Sequence, residues 1–263
     1  MPSDLEDIRA AFEHQIALYG SVLVPDDSAP APVADLAEPE AVTQPIAASA
    51  PIAPASRQTD QYSQINALIP ADSPLLGMTS LEEVAHYVAH TKLIELDNSR
   101  QNPVFGAGHP TADLMVVGDA PGAEEDEKGD PFIGPAGQKL TQILKAIGFD
   151  REQVYITDIL KSRPPGDEHP TAEEFQGHLP ILYKQISLTR PKLILCLGKT
   201  AGTVLLGLDT TLGAMRGTFH DYHGIPVLVT YHPAALLRNP NWRRPTWEDV
   251  QILRKKYDEL TAS

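Results

Sequence analysis

The chain has 263 residues, of which 42% are hydrophobic, and a formal net charge of −14. Its single cysteine, Cys196, excludes a disulfide framework and an all-cysteine metal site within this chain. No apolar run approaches the length of a membrane span, so we expect a soluble, cytoplasmic protein with no membrane contact.

The acidity is concentrated in the N-terminal part of the chain. Residues 1–100 hold 4 Lys and Arg against 15 Asp and Glu, whereas residues 101–263 hold 17 against 20. A nearly neutral C-terminal part can still carry a local basic face, which is what contacts with nucleic-acid phosphates require. The net charge therefore does not exclude a nucleic-acid partner.

Three segments are predicted along the chain. Residues 1–24 contain apolar side chains at helical spacing and are predicted to form an N-terminal helix. Residues 25–73 are dominated by Pro, Ala, Asp and Ser, which is typical of a flexible or polyproline-like linker. Residues 74–263 are predicted to form the globular domain. The N-terminal helix either docks on this domain or binds a protein partner.

The predicted domain alternates short apolar runs with stretches of helical spacing. A continuous apolar run bounded by turn residues indicates a buried strand. Two of the helices begin in capping boxes, at Ser80 and Thr171. This alternation indicates a parallel sheet covered on both faces. The predicted strands are 114–118, 153–160, 192–198 and 226–230, and the predicted helices are 80–95, 135–147, 171–188, 199–206 and 246–260.

The stretch from Leu114 to Gln138, LMVVGDAPGAEEDEKGDPFIGPAGQ, follows the first strand with a glycine and proline turn. In open α/β sheets, ligands bind beyond the carboxyl ends of the strands. Here this loop carries several carboxylates, among them Asp119 and Glu125, and then Phe132 between turn residues. An aromatic ring beside carboxylates is a platform for a flat ligand such as a nucleobase. On its own, the pattern also fits a solvated acidic loop and a core phenylalanine.

The loops after the other strands are expected at the same edge of the sheet. The second strand ends at Asp158 and is followed by the basic pair Lys161 and Arg163. The fourth strand is followed by His232, in the turn His232-Pro233-Ala234, and then by Arg238. A lone histidine is more often structural than catalytic, but a proline-bounded turn just past a strand is an uncommon place for a packing histidine.

Together these side chains fit hydrolysis of an N-glycosidic bond. The departing base leaves as an anion, so a donor such as His232 near its carbonyl lowers the barrier. The sugar becomes cation-like, so a nearby carboxylate stabilises it and can orient a water. Phe132 supplies a stacking surface. Such a base must be extruded from DNA, which is least costly from a single strand.

At these residues the sequence resembles the family 4 uracil-DNA glycosylases of the uracil-DNA glycosylase superfamily. The similarity runs from about Val104 to Leu260. The resemblance implies a three-layer α/β/α sandwich around a central four-stranded parallel sheet. It also implies excision of uracil from DNA during base excision repair, which leaves an abasic site. The landmarks are Val104-Phe105-Gly106, GDAPGAEEDEKGDPFIGPAGQ, VYITDILKSRPPGD, TYHPAALLRNP and Trp247-Glu248-Asp249.

The resemblance also implies roles for individual residues. The predicted catalytic residues are Glu125, as the acid that orients the water, His232, and Asp119, where the family usually has Glu. The predicted base-binding residues are Phe132, which corresponds to the uracil-stacking phenylalanine, Asp158 and Ala120. The predicted DNA-binding residues are Lys161, Arg163, Arg238 and Asn239.

One departure from the family concerns its cofactor. Family 4 enzymes hold an iron–sulfur cluster on four cysteines, and the corresponding positions here are Thr91, Ile94, Ser162 and His178. One histidine and one serine cannot replace four thiolates. We therefore expect no cluster, no other cofactor and no metal, with packing taking over the structural role of the cluster.

A second departure concerns specificity, because the uracil-reading Asn of the family is Asp158 here. An Asn side chain donates to uracil O4 and accepts from N3–H. An ionised Asp can only accept, and a mispaired polar contact costs on the order of 1–3 kcal/mol. A protonated Asp can still donate, and burial can raise the pKa of such a carboxyl. An ionised Asp158 would instead suit the amino group of cytosine.

Three functions are compatible with these residues. The first is a monomeric, nucleoid-associated DNA glycosylase that excises uracil or another deaminated base. The second is a catalytically inactive module with a glycosylase fold that binds DNA or a protein partner. The third is a superfamily member that traps the abasic sugar covalently through His169, which is otherwise an exposed loop residue.

Overall fold

The structure, a computed structural model, describes residues 60–262. The predicted N-terminal helix and most of the predicted linker lie outside the described residues. The last part of the linker is corrected, since helix α1 (Gln61–Asn66) falls within it and buries Tyr62 and Ile65. These two apolar side chains give the segment a face that packs on the domain. Within residues 60–262, no helix has the length and apolar character needed to span a bilayer.

Within residues 60–262, six strands form one mixed sheet. They are β1 (Ala107–Gly108), β2 (Leu114–Gly118), β3 (Tyr155–Asp158), β4 (Leu193–Leu197), β5 (Phe219–Tyr222) and β6 (Ile225–Thr230). Their order in the sheet is β1-β3-β2-β4-β6-β5. The four central strands are parallel, as predicted, whereas β1 and β5 pair antiparallel at the edges. The predicted four-stranded sheet is therefore corrected to six strands. Sequence patterns missed the edge strands because β1 is only two residues long and β5 is only partly buried.

Helices flank both faces of the sheet. The longer ones are α2 (Leu81–His90), α4 (Pro135–Ala146), α5 (Ala172–Thr189), α6 (Gly198–Leu206) and α9 (Arg243–Thr261), and the shorter ones are α3 (Ala123–Lys128), α7 (Leu212–Met215) and α8 (Pro233–Arg238). Short 3-10 helices lie at Pro74–Gly77, Glu95–Asn98, Arg151–Gln153, Pro165–Asp167 and Pro240–Trp242. The capping boxes predicted at Ser80 and Thr171 are present, with Glu83 and Glu174 as partners.

Alternate side chains of each strand point to opposite faces of the sheet. Met115 and Val117 of β2 join one core cluster together with residues of α5 and α6. Leu114 and Val116 join a second cluster together with residues of α4 and α9. The sheet is therefore buried on both sides, which explains why its central strands read as continuous apolar runs.

The strand order creates a crevice beyond the carboxyl ends of the central strands. The chain passes from β2 to β3 on one side of β2 and later enters β4 on the other side. Ligands bind at such a switch point, outside the carboxyl ends of the strands. Gly118 pairs with Asp158, and Leu197 pairs with Thr230, so the last residues of the four central strands lie level at this crevice.

Candidate active site

A cavity of ≈ 440 Å³ opens at this crevice. Loops from all four central strands contribute to its wall. All predicted catalytic and base-binding residues line this cavity, and so does one of the four predicted DNA-binding residues. These side chains belong to Asp119, Ala120, Glu125, Phe132, Asp158, His232 and Arg238. His169 also lines it, together with Lys199 and Thr200, which directly follow β4.

Phe132 is held in an unusual backbone conformation. Its φ is 52°, in the left-handed region that is uncommon for residues other than glycine. A Cβ on Gly137 would lie 1.7 Å from the carbonyl oxygen of Phe132, so only glycine lets α4 approach this closely. Glu125 Oε1 accepts hydrogen bonds from the backbone amides of Ile133 and Gly134, each at 3.0 Å. These contacts fix the aromatic ring in the cavity wall.

The acidic stretch after β2 is corrected from a loop to the short helix α3. Acidic side chains in its first turn suit the partial positive charge at a helix N-terminus. Asp126 turns inward and its Oδ1 accepts from the Gln101 amide at 3.0 Å. Glu125 also turns inward and is 8% exposed. Asp126 therefore has a structural role, since it holds the Gln101 backbone, whereas Glu125 lies at the cavity.

Asp158 ends β3 and is 1% exposed. Its Oδ1 has no hydrogen-bond partner among the described residues. A Cβ on Gly118 would lie 2.1 Å from this oxygen and 2.6 Å from Phe132 Cζ, so the glycine leaves the space in which carboxyl and ring meet. Burial, reinforced by the Asp119 carboxylate and opposed by Lys161, raises the pKa of Asp158 well above its usual value. The neutral carboxyl, which offers one O–H donor besides its acceptor oxygen, is therefore favoured.

His232 precedes α8, and its Nδ1 accepts from the Ala234 amide at 3.2 Å. That bond places the ring proton on Nε2. Among residues 60–262, Nε2 finds no hydrogen-bond partner, and the nearest carboxylate oxygen, Asp119 Oδ1, is 3.8 Å away. Burial lowers the pKa of His232, although Asp119 opposes this, so the neutral imidazole is favoured. The ring centroids of His232 and Phe132 are 5.6 Å apart, which puts a donor beside a stacking surface.

Lys161 is fully buried, which contradicts its prediction as a DNA contact. Its Nζ donates to Thr157 Oγ1 and Gln185 Oε1, each at 2.8 Å, and to the backbone carbonyl of Asp158. Burial lowers the pKa of Lys161 to about 7, while Asp158 acts to raise it. Lys161 therefore supports the strand end that carries Asp158.

The other predicted DNA contacts lie nearer the surface. Arg238 is exposed at the cavity, and Arg163 is half-buried. Asn239 has a local role, because its Oδ1 accepts from the Asn241 amide at 3.1 Å and caps the following 3-10 helix. Of the four predicted residues, Arg238 is the one that combines exposure with a position in the cavity wall.

The supporting residues that sequence analysis missed are mainly glycines. Gly118 and Gly137 allow the close approaches described above. A Cβ on Gly122 would lie 2.8 Å from Glu125 Oε2. Gly198 has a φ of +93°, and a Cβ there would lie 3.2 Å from His232 Cβ. The available signal for Gly118, Gly122 and Gly198 was glycine at or just beyond a strand end, which marks close approach as well as a turn, whereas Gly137 lies within α4.

The chain was compared with known proteins. Residues 105–251 match the model of the Uracil DNA glycosylase superfamily. The chain is 37% identical over 191 residues to a type-4 uracil-DNA glycosylase of Archaeoglobus fulgidus, covering 70% of this chain and 94% of that one. It is 39% identical over 187 residues to the type-4 enzyme of Sulfurisphaera tokodaii, covering 68% and 85%. It is 37% identical over 175 residues to the type-4 enzyme of Thermotoga maritima, covering 65% of this chain and 91% of that one. The chain therefore belongs to the uracil-DNA glycosylase superfamily.

Proposed function

We propose that the protein hydrolyses the N-glycosidic bond of uracil, or of another deaminated base, in DNA. The observation that carries the proposal is the buried Asp158 carboxyl beside Phe132, whose Oδ1 has no hydrogen-bond partner within residues 60–262. In its neutral form, this carboxyl donates to uracil O4 and accepts from N3–H. It thereby offers the same pattern as an amide side chain, and both groups are uncharged.

His232 supports cleavage of the bond in this proposal. Negative charge develops on the O2 carbonyl of uracil as the base departs, and the Nε2–H of His232 donates to it. A neutral, fixed donor of this kind stabilises the transition state more than the ground state. The Phe132 ring stacks on the base and aligns it with that donor.

Two carboxylates serve the sugar in this proposal. Glu125 Oε1 is occupied by the Ile133 and Gly134 amides, which leaves Oε2 as the oxygen that orients the attacking water. The absence of a side chain at Gly122 keeps space beside Oε2. Asp119, near His232, stabilises the positive charge that develops on the sugar.

The same pattern limits the substrate range. Hypoxanthine presents a carbonyl beside an N–H, as uracil does, and so fits the neutral Asp158. Cytosine differs from both, because an amino group and an unprotonated ring nitrogen stand where uracil and hypoxanthine carry the carbonyl and the N–H. We therefore propose uracil and hypoxanthine as substrates, with single-stranded DNA preferred because base extrusion costs less there.

A gel assay across pH 5 to 8 tests the proposal. The full chain is incubated with single-stranded DNA that carries one uracil, one hypoxanthine or only normal bases, and alkali then cleaves abasic sites. Alkali-labile breaks at uracil that diminish with rising pH support a glycosylase that uses protonated Asp158. Intact DNA with altered mobility indicates a binding module instead. An adduct that survives denaturation and is lost in His169→Ala indicates the covalent trap.

A further inference from the structure

The side chains at the positions implied for an iron–sulfur cluster do not fit one. Such clusters require thiolates, and the single cysteine, Cys196, is buried in β4. At two of the implied positions, Ser162 and His178 are fully buried. Within residues 60–262, no group of three His, Cys, Asp or Glu side chains is arranged to hold a metal ion.

A buried carboxylate lies where these positions converge. Asp97, 1% exposed, accepts hydrogen bonds at Oδ1 from Ser162 Oγ at 2.5 Å and from Arg100 at 3.0 Å. His178 Nε2 is 3.1 Å from Oδ1 and 3.3 Å from Oδ2. The Leu93 amide donates to Oδ2 at 2.7 Å. We call the set of Asp97, Arg100, Ser162 and His178 the Asp97 network.

The Asp97 network joins segments that are distant in the sequence. Arg100 also donates to the backbone carbonyls of Val88 and Thr91, at the end of α2. His178, in α5, accepts at Nδ1 from the Lys161 amide at 3.0 Å, in the loop after β3. The network therefore ties together α2, the segment after it, α5 and the loop that follows β3.

Packing at the network depends on a small residue. A Cβ on Gly177 of α5 would lie 2.2 Å from Ile94 Cγ2, so glycine lets the Ile94 segment lie directly against the helix. Burial acts to raise the pKa of Asp97, but hydrogen bonds from His178 and Ser162 outweigh it and hold that pKa well below its usual range. The carboxylate is therefore an ion matched by the guanidinium of Arg100.

We propose that the Asp97 network takes the structural place of the cluster, tying α2 and its following segment to α5 and the sheet. The inference does not depend on glycosylase activity, because it concerns folding alone. It also bears on the cavity, since the network fixes Ser162 and the cavity wall includes Pro164, two residues further along.

Urea unfolding of the full chain tests this inference, with the wild type compared with Asp97→Asn. The control is Asp113→Asn, since Asp113 pairs with Lys192 at 3.4 Å but its side chain is 35% exposed. We expect a clear fall of the unfolding midpoint in Asp97→Asn and none in Asp113→Asn. We also expect purified protein without stoichiometric iron and an unfolding midpoint that a chelator does not change.

A second variant keeps the test decisive if Asp97→Asn fails to fold. Ser162→Ala removes one donor to Asp97 and little volume, so it should fold with a lowered midpoint. Where both single variants fold, the double variant should lose less than the sum of the two single losses, because the residues share one network. A midpoint unchanged in Ser162→Ala, or stoichiometric iron whose removal destabilises the wild type, would overturn the proposal.

Discussion

Two buried carboxyl groups of this domain, each 1% exposed, behave in opposite ways. Asp97 receives hydrogen bonds at both oxygens, whereas Asp158 Oδ1 receives none among the described residues. Accordingly, the pKa of Asp97 is lowered and that of Asp158 is raised. Hydrogen bonds from His178 and Ser162 hold Asp97 as a structural ion, whereas burial and the Asp119 carboxylate favour the neutral form of Asp158, which is available to a ligand.

The two groups also contribute to stability with opposite dependence on pH. The depressed pKa of Asp97 makes a stabilising contribution that is present above the ordinary value of 3.8 and is lost as pH falls below it. The raised pKa of Asp158 means that the folded protein keeps a proton that the unfolded chain releases above 3.8. Its contribution therefore declines as pH rises from 3.8 towards the folded pKa.

The largest expected effect comes from removing the Asp97 carboxylate, both of whose oxygens accept hydrogen bonds. Asp97→Ala leaves the Arg100 guanidinium buried without its counterion, and removal of one partner of a buried pair typically costs about 3–5 kcal/mol. The free energy of unfolding, measured in urea at pH 7, should fall by that order. A loss below about 1 kcal/mol, as is typical of an exposed pair, would show that Asp97 is not a structural ion.

A comparably large effect, chiefly on activity, is expected in the cavity that contains Asp158. His232→Ala removes the proposed donor to uracil O2, and loss of such a donor typically lowers kcat by about a hundredfold to a thousandfold. Single-turnover excision of uracil measures this loss, while the free energy of unfolding in urea should fall only by the cost of the lost helix cap, about 0.5–2 kcal/mol. An unaltered rate would remove His232 from the proposed mechanism.

A smaller effect is expected from filling the space between Asp158 and Phe132. Gly118→Ala would place a methyl group against both, and overpacking of this kind costs about 1–3 kcal/mol. Binding of uracil-containing DNA should weaken together with stability. Gly77→Ala is the matched control, because no atom of the described part of the chain lies within 4 Å of a Cβ there. Equal behaviour of the two variants would mean that the gap at Gly118 is not required.

The smallest effect is expected at the exposed rim of the cavity. Arg238→Ala should weaken DNA binding similarly for all sequences and reduce the slope of affinity against salt concentration by about one. Lys192→Ala serves as control, because Lys192 directly precedes β4 and so lies at the amino ends of the central strands, away from the cavity at their carboxyl ends. Binding titrations at several salt concentrations compare both variants with the wild type. A slope for Arg238→Ala equal to that of Lys192→Ala would exclude Arg238 as a phosphate contact.

The sequence was sufficient to predict the four central strands and the loops at their ends. Continuous apolar runs such as Leu114–Gly118 mark strands buried on both faces, and parallel strands bring their ends together. The sequence pattern alone therefore predicted that Asp119, Phe132, Asp158 and His232 share one site. The polar strand Phe219–Tyr222 was not predictable in this way, because it lies at an edge where the apolar pattern is weak.

The interior charges could not be predicted from local patterns. Lys161 has the sequence context of a solvated basic residue, yet its Nζ is buried against Thr157, Asp158 and Gln185, and Gln185 is 24 residues away. The bonds of Asp97 to Ser162 and His178 span 65 and 81 residues. Only the tertiary fold brings these groups together, so the sequence revealed the missing cysteines without revealing what replaces them.

The most direct test of the account is the pH profile of uracil excision by the wild type and by Asp158→Asn on single-stranded DNA. We predict that the wild-type rate falls as pH rises through the folded pKa of Asp158. The variant, whose amide keeps donor and acceptor at every pH, should hold its rate and exceed the wild type at pH values above that pKa. A wild-type rate that rises with pH, or no excision by either protein, would contradict the claim that a neutral Asp158 recognises uracil.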